Sequence, residues 1–465
     1  GPWTAAVVCS SVVVGAHPTL SVPSVKFSLS GKTSSFMATT TNAASRPYDI
    51  IVFGASGFTG QFVVEEVART VADGPKGTLK WAIAGRSRQR LEKVLEQSAA
   101  KPELMSEVEI ILADVCEMDS LVTMCKQGVI VLNCVGPYRF YGEPVVKACV
   151  ENGAHYMDIC GEPQFLEGMQ LKYHSQAADN GVYVIGSCGF DSIPADMGVL
   201  FTRDHFKGTL TTVESFLTIR TGPEGGCIHD GTWQSAIYGF ADSDKLRALR
   251  KKTGYKSMPV VGEKIKRRST LFFSKEIEQY AVPFMGADHS VVKRTQHFLH
   301  TEYQESPVQY GAHVGVGGIS SLVKLLFAGI LFWFMVKFAF GRKMLIKFPE
   351  FFSFGVFSKV GPSRKQMDDS SFCFTFFGEG YTEGQDPTQG KPNARIRTQV
   401  KGPDAGYVAT PIAMVQAAIT LLNEPKSLPK TGGVYTPGAA FAKTTLVDRL
   451  NKRGFQFSVM TSPQA

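Results

Sequence analysis

Residues 51–60 read IVFGASGFTG. An apolar run, Ile51-Val52-Phe53, gives way to glycines at 54, 57 and 60, and an amphipathic stretch, Gly60–Val71, follows. A G-x-x-G-x-x-G spacing set between a strand and a helix is the form a dinucleotide-binding turn takes. Gly54 permits the tight turn, Gly57 lets a pyrophosphate approach the backbone, and Gly60 allows close helix-to-strand packing. Ser56, Phe58 and Thr59 lie in the same turn and are taken with the glycines as cofactor-binding candidates. The helix N-terminus behind them offers amides and the positive end of its dipole to phosphates.

Outward from this turn, short apolar strands alternate with amphipathic helices. The pattern predicts strands at Asp49–Gly54, Leu79–Gly85, Val108–Val115, Val129–Val135, His155–Ile159 and Val182–Gly186. Helices are predicted at Gly60–Val71, Ser87–Gln97, Met118–Lys126, Pro144–Asn152 and Gln164–Asn180, with Ser87 as an N-cap and Gly153 and Gly181 as C-terminal caps. Near-continuous Val/Ile/Leu strands in βαβ alternation mean a parallel sheet buried on both faces. The fold class expected is α/β, a Rossmann-type doubly wound parallel sheet, followed by a second α/β domain.

The second strand bears on which dinucleotide binds. An acid there would hold a ribose 2′-hydroxyl, as NAD requires. This strand ends Ala84-Gly85-Arg86-Ser87-Arg88, with no acid in reach. Arg86 can pair with a 2′-phosphate and Ser87 can donate to it, so NADP is favoured over NAD; Arg86 as a plain helix opener is the competing reading. Asp114, ending the third strand, is placed to meet the adenine end. Cys134, Val135, Gly136 and Pro137, ending the fourth, belong near the nicotinamide ring or form an ordinary turn.

At 465 residues the chain is too long for one core. The divisions expected are a separate segment 1–47, the nucleotide domain 48–203, a second domain 204–402, and C-terminal helices 403–465 whose return to the first domain is left open. Residues 1–47 contain no acidic residue; Met37 reads as an initiator, with upstream sequence before it, and the segment is expected to be disordered. The formal net charge is +8, with a cluster at Lys264, Lys266, Arg267 and Arg268, but no nucleic-acid module accompanies it. Nine cysteines, odd in number and without a Cys-x-x-Cys pair, favour reduced thiols in a cytosolic setting and give no support to a metal site.

The chain resembles the saccharopine-dehydrogenase-like oxidoreductases from Tyr48 to Met460. The resemblance rests on IVFGASGFTG (51–60), AGRSR (84–88), NCVGPYRFYGEPVVKAC (133–149), DICGEPQF (158–165), GFDSIPADMG (189–198), AIYGF (236–240) and YVATPIAMVQAA (407–418). It implies a Rossmann domain, an α/β domain holding substrate, and NAD(P)H chemistry. Relatives that include trans-acting enoyl reductases imply a small-molecule or lipid-linked substrate.

Hydride transfer needs positioning and a proton donor. None of the fourteen tyrosines is followed four residues later by Lys, so the Tyr-x-x-x-Lys acid of short-chain dehydrogenases is absent. The catalytic candidates follow strand ends: Tyr138 and Tyr141 after the fourth, Asp158 and Glu162 after the fifth, Asp191 after the sixth. Tyr138, Tyr141 and Asp191 are preferred, though Asp191 is equally suited to cap a helix near Pro194. His229-Asp230-Gly-Thr232-Trp233 is expected to close over them.

Between Val314 and Gly341 the only charges are Lys324 and Lys337. The uncharged core Leu325–Val336 covers ~18 Å as a helix, short of a bilayer interior of ~30 Å; Ile319–Phe340 would just span if both lysines snorkel. Arg342, Lys343 and Lys347 precede the aromatic stretch Phe348–Phe354, as in an interfacial anchor. A monotopic attachment to the cytosolic face of endoplasmic reticulum or to a lipid droplet is expected; a buried core helix or a homodimer interface is the alternative. The functional expectation is a membrane-associated NADP(H)-dependent oxidoreductase, set against a non-catalytic nucleotide-binding sensor or scaffold.

Overall fold

The computed structural model describes residues 45–97, 107–253 and 257–460, so the expectations for residues 1–44, Met37 among them, fall outside it. Its first six strands are β1 (Tyr48–Phe53), β2 (Trp81–Gly85), β3 (Glu109–Leu112), β4 (Gly128–Asn133), β5 (His155–Asp158) and β6 (Tyr183–Ile185). Between and after them run α1 (Phe58–Arg69), α2 (Arg88–Gln97), α3 (Met118–Cys125), α4 (Tyr138–Asn152), α5 (Pro163–Asp179) and α6 (Ile193–Asp204). Every strand predicted in this half is present. Ser87 accepts from the Arg90 amide as an N-cap should, and Gly153 and Gly181 take positive φ behind their helices.

One boundary moves. Pro144 was read as a helix start, yet α4 begins at Tyr138 and carries Pro144 inside it. A proline two turns into a helix removes one hydrogen bond and is tolerated where packing holds the segment. Here Val145, Val146 and Cys149 are buried against the sheet.

The later strands are β7 (Thr209–Arg220), β8 (Ile228–His229), β9 (Phe272–Ser274), β10 (Gln279–Pro283), β11 (Gln309–Gly317), β12 (Phe357–Ser358), β13 (Ser371–Tyr381), β14 (Ala394–Pro403), β15 (Gly433–Tyr435) and β16 (Gln456–Val459). The first sheet runs β15-β6-β5-β4-β1-β2-β3, and all its pairings are parallel. This is the doubly wound order with a seventh strand from late in the chain. The second sheet runs β16-β14-β13-β7-β11-β10-β9, with only β7 and β11 parallel. The last two strands therefore part company: β15 joins the nucleotide sheet and β16 joins the other.

The remaining helices used below are α7 (Asp230–Ala241), α8 (Ser243–Thr253), α9 (Asp288–Tyr303), α10 (Ile319–Val336), α11 (Ala339–Lys347) and α12 (Thr410–Asn423). α12 is buried along almost its whole length and packs on α1, β4 and β5. α6 follows β6 of the first sheet and packs on the second, contacting β7, β13 and β14. At that crossing Phe376 is completely buried, and a Cβ at Gly198 of α6 would come 2.3 Å from its ring. Phe376→Ala should therefore cost about 3–5 kcal/mol, read as a lower urea midpoint. Gly198→Ala should destabilise on its own and be partly rescued by Phe376→Leu.

Candidate functional site

The switch point of the nucleotide sheet lies between β1 and β4, where the chain turns to opposite sides of the sheet and ligands meet the strand C-terminal ends. At the end of β1, Gly54 takes φ +80°, and a Cβ there would sit 2.7 Å from Val135 Cγ2. A Cβ on Gly60 would come 2.1 Å from the Gly54 carbonyl oxygen. Only glycine at 60 lets α1 start this close to the strand. Gly57 is the N-cap residue of α1, and no side chain caps the helix. The amides of Phe58, Thr59 and Gly60 are thus left without intrahelical partners, as a phosphate requires. Ser56 lies in the same turn.

Arg86, just beyond β2, is exposed and has no ion pair or hydrogen bond among the described residues. Ser87 beside it holds the α2 N-cap. Asp114 accepts from the Cys116 amide at 2.9 Å and so shapes the turn after β3. At the end of β4, the Val135 amide donates to Asn133 Oδ1 at 3.0 Å, burial pushes the Cys134 thiol up to about 12, and Gly136–Pro137 is a cis peptide. These residues, Arg86 and the glycine turn lie along one edge of the sheet. A glycine cradle that a Cβ would fill, an uncapped helix and an unpaired guanidinium together fit a dinucleotide with a third phosphate.

The catalytic candidates separate. The Tyr138 hydroxyl donates to the Asn133 carbonyl at 2.7 Å, and burial holds it well above the usual phenol range. That bond directs it back into the sheet. Tyr141 is on the surface, its ring beside Phe140. Asp158 accepts from the Cys160 and Ser187 amides and the Tyr156 hydroxyl; burial, aided by the charge of Glu162, pushes it up to about 6. It ties the loops after β5 and β6 together.

Glu162 accepts from the Tyr138 amide at 3.0 Å and from Arg139 Nε at 2.8 Å. Arg139 also pairs with Asp242, just after α7, at 2.9 Å, and Ser235 of α7 donates to Glu162 at 3.3 Å. The loops after β4 and β5 are therefore pinned to α7 by an enclosed charge chain. Asp191 is half-buried, with Oδ2 close over Gly161 in the loop after β5. Burial pushes its carboxyl up to about 6. It does not cap α6: Ser192 holds the N-cap position.

His229 closes over a different place from the one expected. Its ring stacks on Phe58 at 4.7 Å and 12°, so His229 itself covers the glycine turn, while later residues of α7 meet the segment that carries the tyrosines. The His229 amide donates to the Tyr407 hydroxyl at 2.8 Å. Trp233 is a core residue, its indole donating to the Leu345 carbonyl at 2.9 Å. In the basic cluster, Arg268 is committed to Glu214 and Glu276, which leaves Lys264, Lys266 and Arg267 exposed. Sequence reasoning missed Asp288, at the start of α9. An acid at a helix N-terminus looks like a dipole partner, and nothing local marks it as buried. A recess of about 410 Å³ lined by Asp73, Gln416, Thr445 and Arg449 lies at the far end of α1, away from this edge.

The sheet order and the glycine turn at its switch point define a dinucleotide-binding α/β protein. Residues 50–185 match the model of the saccharopine dehydrogenase NADP binding domain, which makes the dinucleotide NADP. The chain belongs to the saccharopine dehydrogenase-like oxidoreductases. It is 62% identical over 423 residues to the saccharopine dehydrogenase-like oxidoreductase of Rattus norvegicus, covering 90% of this chain and 99% of that one. A lipid droplet localized protein of Caenorhabditis elegans is 42% identical, covering 89% and 98%. The trans-acting enoyl reductase of Mycobacterium bovis is 29% identical, covering 87% and 96%.

Gly60→Ala should weaken NADPH binding by at least ~10-fold, because the added methyl cannot coexist with the Gly54 carbonyl. Titration of NADPH fluorescence checks this; affinity equal to wild type would overturn the account of the turn.

Proposed function

We propose that this chain is an NADP(H)-specific hydride-transfer enzyme that works docked on a lipid surface and acts on a lipid-linked substrate. The observation that carries the cofactor half is the unpaired Arg86 beside an uncapped α1. Bound there, the nicotinamide supplies or accepts the hydride. The chain's own groups orient it: the α1 amides hold the phosphates, Arg86 takes the 2′-phosphate, and the loop Cys134–Pro137 lines the ring end. His229 on Phe58 covers one side of the phosphate turn. Arg86→Ala should lower NADPH affinity roughly 10–100-fold while leaving NADH little changed, measured by equilibrium titration. If neither nucleotide binds the native chain, the fold is a scaffold and the enzyme reading fails.

The surface half rests on α10. One side of this helix, Leu322, Leu325, Ala328, Phe332 and Val336, is buried, and its Ala328, Phe332 and Val336 pack with Trp233 and Ile237 of α7 and with Leu345 of α11. The other side leaves Ile319, Val323, Leu326, Phe327, Ile330, Trp333 and Phe334 exposed, Phe327 and Ile330 at 63% and 66%. Phe338, Phe340, Phe351 and Phe354 continue the apolar surface. A helix with one side held by protein is not encircled by lipid, so the span Ile319–Phe340 is given up for a monotopic seat. Exposed Lys324, Lys337, Lys343 and Lys347 rim this surface, as amphipathic anchors on anionic headgroups are rimmed. The C. elegans relative's description as lipid droplet localized supports a droplet monolayer as the occupant. The triple variant Phe327→Ser, Ile330→Ser, Phe334→Ser should reduce partitioning onto phospholipid-coated triglyceride emulsions by roughly 100-fold, scored by flotation. Unchanged flotation would sink the docking surface.

A further inference from the structure

The Phe58 ring, on the first residue of α1, is enclosed by groups from later in the chain. His229 stacks on it at 4.7 Å and 12°, and Tyr407 meets it edge-on at 4.9 Å and 90°. At Gly361 a Cβ would come 2.4 Å from Phe58 Cζ, so only glycine lets the loop after β12 reach the ring. Phe62, one turn along α1, closes another side at 5.5 Å. The ring is boxed in, and His229 is thereby held at a fixed offset from the N-terminus of α1. The first amides there, those of Phe58, Thr59 and Gly60, have no side-chain cap.

The backbone fixes His229 as firmly. It pairs in register with Ser358 in the two-stranded parallel sheet of β8 and β12, and its amide donates to the Tyr407 hydroxyl at 2.8 Å. Its side chain also has a defined proton. His229 is the N-cap of α7, and the Gly231 amide donates to Nδ1 at 3.2 Å. Asp230 Oδ1 also approaches this nitrogen, at 3.4 Å. A ring nitrogen that accepts a hydrogen bond carries no hydrogen, so the neutral ring holds its proton on Nε2. That N–H has no partner among the described residues, and the side chain, 30% exposed, is not sealed.

The other polar groups around this ring are committed. The Ser358 hydroxyl accepts from the Gly361 amide at 2.9 Å and lies 3.2 Å from the Cys227 thiol. The Tyr407 hydroxyl is buried and takes the His229 amide. Arg364 pairs with Glu65 and lies over the Phe62 ring at 4.8 Å, farther along α1.

We propose that His229 is a cofactor-binding residue delivered by the second domain, its Nε2–H donating to the pyrophosphate of NADP(H) alongside the amides of α1. This rests on the NADP(H) reading of the glycine turn. Helix amides and the helix dipole draw a pyrophosphate to the turn, but they reach it from the nucleotide domain alone. A donor carried at the end of β8 makes the same group a link between the domains. An N–H given to an anionic oxygen is a charge-assisted bond, stronger than one between neutral groups.

Two substitutions separate donation from stacking. His229→Phe keeps a flat ring on Phe58 and removes the N–H. His229→Gln removes the ring and keeps an amide N–H at about the reach of Nε2. Both lose the α7 cap, so a shared drop in urea midpoint is expected and does not bear on the difference between them. On the full chain, titration of NADPH fluorescence should show affinity roughly 10-fold weaker in His229→Phe and within about threefold of native in His229→Gln. Adenosine 2′-monophosphate, which carries the third phosphate without the pyrophosphate, should bind all three proteins alike in a ligand-observed NMR titration. The opposite order, with His229→Phe near native and His229→Gln weakened, would make the ring a stacking cover only and overturn the proposal. Native affinity in both variants does the same, as does a loss shared equally by NADPH and the monophosphate. If the native chain binds no NADPH, the cofactor reading beneath falls with it, a result distinct from all of these.

Discussion

The Gly60 backbone sits so close to the Gly54 carbonyl that no side chain fits between them. From that contact follows the direction of α1, whose first amides must point out over the sheet edge instead of being capped by a side chain. Those amides lie along the same edge of the sheet as Arg86, just beyond the next strand. The second domain answers to the same point, since His229 rests on Phe58, the first residue of the helix. A single steric tolerance, a hydrogen in place of a methyl, thus sets where the uncapped amides lie and where His229 lands.

The nucleotide sheet was legible because its signal is local. Each buried strand announces itself as an apolar run, and glycines at 153 and 181 mark two of the helix ends. Among the strands that escaped notice, β15 and β16 are short and are defined by partners far away in the chain. Val434 and Tyr435 have no alternation to display; what makes them a strand is β6. The site divides in the same way. Glycines 54, 57 and 60 and Arg86 act through backbone shape and charge, which sequence records. Tyr138 looked like an acid because it follows β4, but only the structure turns its hydroxyl to Asn133. Asp288 looked like a dipole partner because burial by another domain leaves no trace around it.

α7 connects the two halves of the molecule physically. Its first residues follow His229 on the glycine turn, Ser235 and the nearby Asp242 hold the loops after β4 and β5, and Trp233 and Ile237 support the buried side of α10. The helix that presents apolar side chains to the surroundings therefore stands on the same element that braces the sheet edge. In the Glu162–Arg139–Asp242 chain the first two members are enclosed and Asp242 is partly exposed, so loss of Glu162 or Arg139 leaves charge without compensation.

The separation of β15 and β16 has a consequence for how the chain is made. The nucleotide sheet lacks its seventh strand, and the second sheet its outer one, until residues 433–459 have been synthesised. The α10 segment leaves the ribosome well before that. At 5–20 residues per second the interval is roughly 6–25 s. During that time an apolar helix is outside the tunnel while both sheets remain open at one edge. The order of events on the ribosome thus leaves the apolar side of α10 outside the tunnel first, and closure of the two sheets comes second.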